Sequence, residues 1–170
     1  MDSASDTAVR IERAVSGAQF DLARMLFREY AATLETNVCL AGFEQELKTL
    51  PQMYGAPDGC LLLAVDVGGA VGCIGVRRFD ATRAEMKRLY VRPAARGHGA
   101  GRALARAALD AARSLGYRAM VLDTLPDMQA AQALYRDLGF RADAYHAPAH
   151  PASESILCYS RPLQGADGPP

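Results

Sequence analysis

The stretch Arg96-Gly97-His98-Gly99-Ala100-Gly101 decides how the rest of this chain is read. Upstream of it, Glu85-Met86-Lys87-Arg88-Leu89-Tyr90-Val91 carries the β-favouring Tyr90 and Val91 just before Arg92-Pro93, and reads as a strand feeding a loop. Downstream, Leu104, Ala108, Leu109, Ala112 and Leu115 recur at the three-and-four spacing of one helical face, and Gly116 stops that helix. A strand, a glycine-rich turn and a helix in that order bring unpaired backbone amides and the positive end of a helix dipole to one point. Gly97, Gly99 and Gly101 let those amides turn inward around a small anion with no β-carbon in the way, while Arg96 and Arg102 add fixed charge on either flank. The combination suits a diphosphate.

Toward the N-terminus, Val9-Arg10-Ile11-Glu12-Arg13-Ala14-Val15 alternates apolar and polar side chains, the period of a half-buried strand. From Phe20 the apolar positions shift to Ala23, Leu26, Phe27, Tyr30 and Leu34, one face of a helix, with Gly17 marking the break. Phe43, Leu47 and Leu50 predict a short second helix that Pro51 ends. The β-rich runs Cys60 to Val67 and Ala70 to Phe79 are joined by Gly68-Gly69, a pair suited to a tight antiparallel hairpin. Beyond the central helix, Tyr117 to Leu122 reads as a buried strand. Ala130, Ala133, Leu134 and Leu138 form a helix closed by Gly139, and Ser155-Ile156-Leu157-Cys158-Tyr159 is a late strand after a proline-rich loop. The order β-α-α-β-β-β-α-β-α-β-β puts hairpins first and helical crossovers later. It predicts an α/β (α+β) fold, a mixed sheet with helices on both faces and not a regular doubly wound one. A single domain over residues 8–160 is expected, with residues 1–7 and 163–170 as flexible tails.

Composition narrows the function. The 19 basic side chains balance the 19 acidic ones, so no overall positive field exists to hold nucleic acid or an anionic membrane. The longest apolar run, Cys60 to Val65, falls far short of the roughly 20 residues that span a bilayer. Neither a basic start nor an apolar export segment follows Met1, which favours the cytoplasm. Cys39, Cys60, Cys73 and Cys158 lie far apart and read as free thiols. His146 and His150 are spaced like metal ligands but lack a third, so no metal is expected. A dinucleotide competes for the glycine turn, with Asp123 about 20 residues on as the ribose-binding acid. Against it stand the G-x-G-x-G spacing, the flanking arginines and the shortness of the chain.

These residues resemble the GNAT superfamily of acyl-CoA-dependent N-acetyltransferases, whose signature Q/R-x-x-G-x-G/A lies between a central strand and a helix. Arg96 to Gly101 match it, and Ala130-Ala131-Gln132-Ala133-Leu134-Tyr135-Arg136-Asp137-Leu138-Gly139-Phe140 resembles the family's A-x-x-L-Y-x-x-x-G-F segment. The motifs stand in family order, and the resemblance covers roughly residues 8 to 160. It implies a GNAT-like, mostly antiparallel sheet, acetyl-CoA as co-substrate with no metal, and direct attack by an amine acceptor in a ternary complex.

The resemblance also implies roles. The backbone of Leu89, Tyr90 and Val91 would hydrogen-bond the pantetheine arm between two splayed strands. Arg96 and the amides of Gly97, His98, Gly99, Ala100, Gly101 and Arg102 would hold the pyrophosphate, the His98 side chain facing solvent. Tyr135 would contact the cofactor and protonate the departing thiolate, and Glu85 would act as general base, directly or through water. Met128 stands where many relatives have an asparagine, seven residues before the helix tyrosine, so that contact is lost or moves to Gln129 or Thr124. Independently of the family, Lys87 lies two residues from Glu85 on the same side of the strand and can pair with it. The acceptor is a small-molecule amine, a peptide N-terminus or a lysine side chain, with Phe43, Tyr54 and Tyr145 as candidate pocket residues. The alternative is a non-catalytic acyl-CoA sensor or interaction module, and a homodimer is expected from the resemblance alone.

Overall fold

Alternating segments of the chain become strands of one sheet, and the helical stripes become the layers on its two faces. The computed structural model describes residues 8–34, 40, 42–143 and 156–163. Its strands are β1 (Arg10–Arg13), β2 (Cys60–Asp66), β3 (Gly69–Arg78), β4 (Arg83–Val91), β5 (Ala119–Thr124), β6 (Arg141–Ala142) and β7 (Leu157–Pro162). Its helices are α1 (Gly17–Ala32), α2 (Phe43–Lys48), α3 (Leu50–Tyr54), α4 (Ala100–Ser114) and α5 (Gln129–Asp137). The strands lie in the order β1-β2-β3-β4-β5-β7-β6, antiparallel throughout except for β4 beside β5. This is the mixed, mostly antiparallel sheet expected, with one short helix more than the sequence pattern implies.

Local chemistry accounts for the differences. Gly17 opens α1 instead of breaking the chain before it, because Ser16 and Gln19 form a capping box. The Gln19 amide donates to Ser16 Oγ at 3.3 Å, and Gln19 Oε1 accepts from the Ser16 amide at 3.1 Å. Pro51 likewise starts α3 instead of ending α2, since a proline in a first helical turn has no intrahelical amide bond to lose. The hairpin turn is Val67-Gly68, and Gly69 begins β3 at φ 120°. Leu163, expected at the start of the tail, is buried. Its amide donates to Arg118 O at 2.8 Å and its carbonyl accepts from Arg113 Nε at 2.9 Å.

Two cores hold the layers. On one face Leu104, Ala105, Ala108, Leu109 and Ala112 of α4 pack with Ile74, Val76, Met86, Met120 and Leu122, and Tyr135, Leu138 and Phe140 extend that cluster to α5. On the other, Phe20, Ala23, Leu26 and Phe27 of α1 join Phe43, Leu47, Leu50 and Tyr54 over Leu61, Leu63, Cys73 and Tyr90. Each large apolar side chain so buried contributes about 2 kcal/mol, enough to make the helical stripes choose their faces.

The central strand β4 departs from regularity twice. It pairs with β5 only through Arg83↔Ala119, Ala84↔Met120 and Glu85↔Val121, and then the strands part. Opposite β3, Lys87 faces Gly75 and Tyr90 faces Cys73, so Arg88 and Leu89 share one partner position in a β-bulge. Arg88 sits there at φ 59°, a left-handed conformation that a non-glycine residue adopts at a cost of about 1 kcal/mol. The bulge resets the alternation: Ala84 and Met86 face the α4 core before it, Leu89 and Val91 after it, and Tyr90 faces α1.

A buried ion pair fixes the bulge to α2. Arg88 Nε lies 3.1 Å from Glu46 Oε1 and NH2 lies 2.7 Å from Oε2; the Tyr54 hydroxyl donates to Oε1 at 2.6 Å. The guanidinium also stacks 5.3 Å from the Phe43 ring centroid. Burial pushes the Glu46 carboxyl up, but the hydrogen bonds and charge of Arg88, helped by Tyr54, more than offset this and the net shift is downward. A carboxyl lowered on folding adds stability that is fully present above its ordinary value of 4.5 and is lost as pH falls below it. Glu46→Gln, which leaves the Arg88 charge buried against a neutral amide, is predicted to lower the unfolding free energy by about 3 kcal/mol at neutral pH. The gap to wild type should narrow in acid. Denaturant titrations of both proteins across pH check this, and equal stability at neutral pH would contradict it.

Candidate active site

The chain turns from β4 into α4 through a short helical turn at Pro93–Ala95. Gly97 and Gly99 follow at φ 82° and 83°, and a β-carbon on either would meet no atom within 4 Å. Glycine is needed there for the backbone angle, and the space above the turn is open. Gly101 differs from the expectation drawn for it. It lies within the first turn of α4 without a positive φ, and a β-carbon would only touch Leu134 at 3.8 Å and Val91 at 3.9 Å.

Backbone bonding leaves a set of amides at this turn. The Arg96 amide donates to Pro93 O at 3.3 Å and the Ala103 amide to Gly99 O at 2.9 Å. Among the described residues no backbone carbonyl or capping side chain takes the amides of Gly97, His98, Gly99, Ala100, Gly101 or Arg102. Exposed donors at the positive end of a helix form an anion-binding nest. Arg96 stays beside it: its Nε donates to Val91 O at 2.8 Å, and its guanidinium lies 5.9 Å from the Tyr90 ring centroid. Arg102 instead clips α4 to α5 through Asp137 Oδ2 at 3.0 Å.

Next to the nest runs the edge of β4 that parts from β5, carrying Leu89, Tyr90 and Val91. Arg92 anchors the end of this edge to α1: Nε and NH2 meet the two oxygens of Glu29 at 3.0 and 2.7 Å, and NH1 donates to Ala70 O at 3.0 Å. The hydrogen bond from Arg92 holds the Glu29 carboxyl below its usual range. Tyr30, one residue on, packs its ring against Tyr90 at 6.2 Å between centroids. Sequence reasoning took Tyr30 only as part of an apolar helix face and passed over Glu29 and Arg92.

Across the gap, Tyr135 is buried on α5 with its ring edge-on to Phe140 at 5.9 Å between centroids. Burial, reinforced by Tyr30, holds its phenol well above the usual 10, so it keeps its proton at neutral pH. Gln132 fixes the turn that leads there, Nε2 donating to Leu125 O at 2.9 Å and Pro126 O at 3.1 Å. The Thr124 hydroxyl donates to Met128 Sδ at 3.6 Å, and Gln129 is exposed at the start of α5.

Glu85 is buried, not solvated, and its partner is Arg77 instead of Lys87. Arg77, its cross-strand neighbour, places Nε at 2.8 Å and NH2 at 2.7 Å, both on Oε1. Glu85 is also the last β4 residue paired with β5, so it stands where the gap opens. Lys87 is half-buried; burial lowers its pKa against the opposing pull of Glu85. Burial likewise raises the thiols of Cys60, Cys73 and Cys158, the last to about 12, which leaves none of them a nucleophile at neutral pH. Cys39, Tyr145, His146 and His150 lie outside the described residues. Among those described, no group of three or more His, Cys, Asp and Glu side chains could hold a metal, and no helix is long and apolar enough to cross a membrane.

The chain matches the acetyltransferase (GNAT) family over residues 24–140. It is 38% identical over 129 residues to an uncharacterized N-acetyltransferase of Schizosaccharomyces pombe, a match covering 74% of this chain and 79% of the relative. It is 37% identical over 110 residues to the N-acetylaspartate synthetase of Rattus norvegicus, covering 61% of this chain but only 37% of that longer protein. In fold it is similar to a Salmonella typhimurium structure solved with acetyl-CoA, at TM-score 0.66 and 20% identity over 96% of this chain and 98% of the other.

The glycines of the turn are predicted to separate in a stability test. Gly99→Ala forces a β-carbon into a left-handed conformation and should cost about 1 kcal/mol. Gly101→Ala, in helical backbone with room for the methyl group, should add roughly 0.5 kcal/mol. Denaturant unfolding of the two variants checks this, and equal effects would contradict the assignment of the backbone angle.

Proposed function

The chain belongs to the GNAT family of acetyltransferases, and from that premise we propose that it transfers the acetyl group of acetyl-CoA to an amine nitrogen. The observation that carries the reading is the juxtaposition of the amide nest at residues 97–102 with the strand edge that β4 withholds from β5. One takes a diphosphate; the other offers backbone donors and acceptors to an amide-bearing chain. Open space above Gly97 and Gly99 accommodates the phosphates. The acetyl-CoA in the Salmonella typhimurium structure, and the N-acetyltransferase and N-acetylaspartate synthetase names of the relatives, support the reading.

In this reading Arg96 and the amides of Gly97, His98, Gly99, Ala100, Gly101 and Arg102 grip the diphosphate, while Leu89, Tyr90 and Val91 pair with pantetheine as a neighbouring strand would. Acetyl-CoA supplies a thioester; the amine nitrogen bonds to its carbonyl carbon and the carbon–sulfur bond breaks. Tyr135, a phenol kept protonated by burial, gives its proton to the departing sulfur. Glu85 accepts the proton that the amine sheds, directly or through water. Both contacts from Arg77 fall on Oε1, which leaves Oε2 for that task.

The test is thiol release from acetyl-CoA across a panel of amines, with calorimetry of acetyl-CoA binding alongside. Wild type is predicted to bind acetyl-CoA saturably and to release thiol only when an acceptor is present. Tyr135→Phe should lose about a hundredfold in kcat with little change in acetyl-CoA affinity, the usual share of a positioned proton donor. An unaltered kcat would remove Tyr135 from that role, and binding without turnover on any amine would favour a non-catalytic acyl-CoA sensor.

A further inference from the structure

Charged side chains gather on the α1–α3 side of the sheet where β4 leaves β5. Arg77 pairs with Glu85 across β3 and β4, and Arg88 pairs with Glu46 across β4 and α2. Lys87 lies between these pairs along β4, on the same face as Glu85 by alternation with Met86. The cations Arg77, Lys87 and Arg88 share this face with the anions Glu46 and Glu85, and with Asp123 of β5, which lies beside Cys158 across the gap. Of the three cations, Lys87 alone lacks a close contact among the described residues. Arg77 spends both contacts on Glu85 and Arg88 grips both oxygens of Glu46, whereas no hydrogen bond or ion pair with a described residue engages the Lys87 ammonium.

The surroundings give that charge a direction. Lys87 stands opposite Gly75, and a β-carbon on Gly75 would strike the Tyr54 ring at 2.5 Å, so this ring closes the β3 side of Lys87. On its other side β4 has no strand partner. For this half-buried ammonium the loss of hydration outweighs the pull of Glu85, and a ligand anion in direct contact would offset that loss.

We infer that Lys87 is the carboxylate-binding residue of the acceptor site, and that the acceptor is a small amine bearing a carboxylate, an amino acid being the simplest case. The inference rests on the reading that an amine is acetylated in this gap. Glu85 and Lys87, two residues apart on one strand face, have backbones roughly 7 Å apart. One amino acid spans that interval with its nitrogen toward the Glu85 carboxylate and its own carboxylate toward Lys87.

The experiment compares free amino acids with the same amino acids amidated at the carboxyl, by thiol release at saturating acetyl-CoA. Wild type should prefer the acids at least about tenfold in kcat/KM, the worth of one charge-assisted contact. Lys87→Met, and Lys87→Gln as a second variant, should collapse the preference through KM, and Lys87→Arg should keep most of it. Amides turned over as well as acids by wild type would overturn the carboxylate site while leaving acetyl transfer intact. A preference that survives in both neutral variants would overturn the role of Lys87, and the absence of thiol release with any amine would overturn the acyl-transfer reading and this inference together.

Discussion

The organisation of the molecule depends on the parting of β4 from β5 after Glu85. A strand edge inside a sheet is a row of unpaired backbone donors and acceptors, and such rows are costly unless something else satisfies them. Here β4 is drawn toward β3 by the bulge at Arg88 and toward α1 by the Arg92–Glu29 pair, while β5 stays in register with β7 over its full length. The gap is thus built into the pairing. The amide nest lies at the end of β4, Glu85 where the gap begins, and Tyr135 on the helix that follows β5.

Packing and electrostatics divide the work between the two faces. The α4 face is apolar, and its alanines let the helix that bears the nest sit close to the sheet. The opposite face carries buried charge at its C-terminal half, where Arg88–Glu46–Tyr54 fixes α2 and α3 and Arg77–Glu85 holds a carboxylate in place. Apolar residues of the same volume could match such pairs in stability. Their use beside the gap fixes the positions of Glu85 and of the β4 edge.

How much of this was legible follows residue by residue. The stripe from Leu104 to Leu115 and the glycines at 97 and 99 carry their meaning in sequence, because helical spacing and positive φ constrain residue type directly. The Ser16–Gln19 capping box was equally visible, yet Gly17 beside it invited the reading of a break. Pro51 was ambiguous in principle, since proline both ends one helix and opens the next. The bulge could not be seen: nothing in Arg88 as a residue type suggests a left-handed backbone, and only the register against Cys73 and Gly75 requires it. The partner of Glu85 was hidden for the same reason. Alternation placed Lys87 on its side, but the cross-strand position of Arg77 depends on a register that no local pattern encodes.

The most direct test of the central claim is hydrogen–deuterium exchange with and without acetyl-CoA, resolved at residues 86–91 and 97–103. If the unpaired edge of β4 and the amide nest together hold this ligand, both segments slow on its addition while the remote β1–β2 pairing is unaffected. Unchanged exchange in both segments at saturating acetyl-CoA would contradict the account.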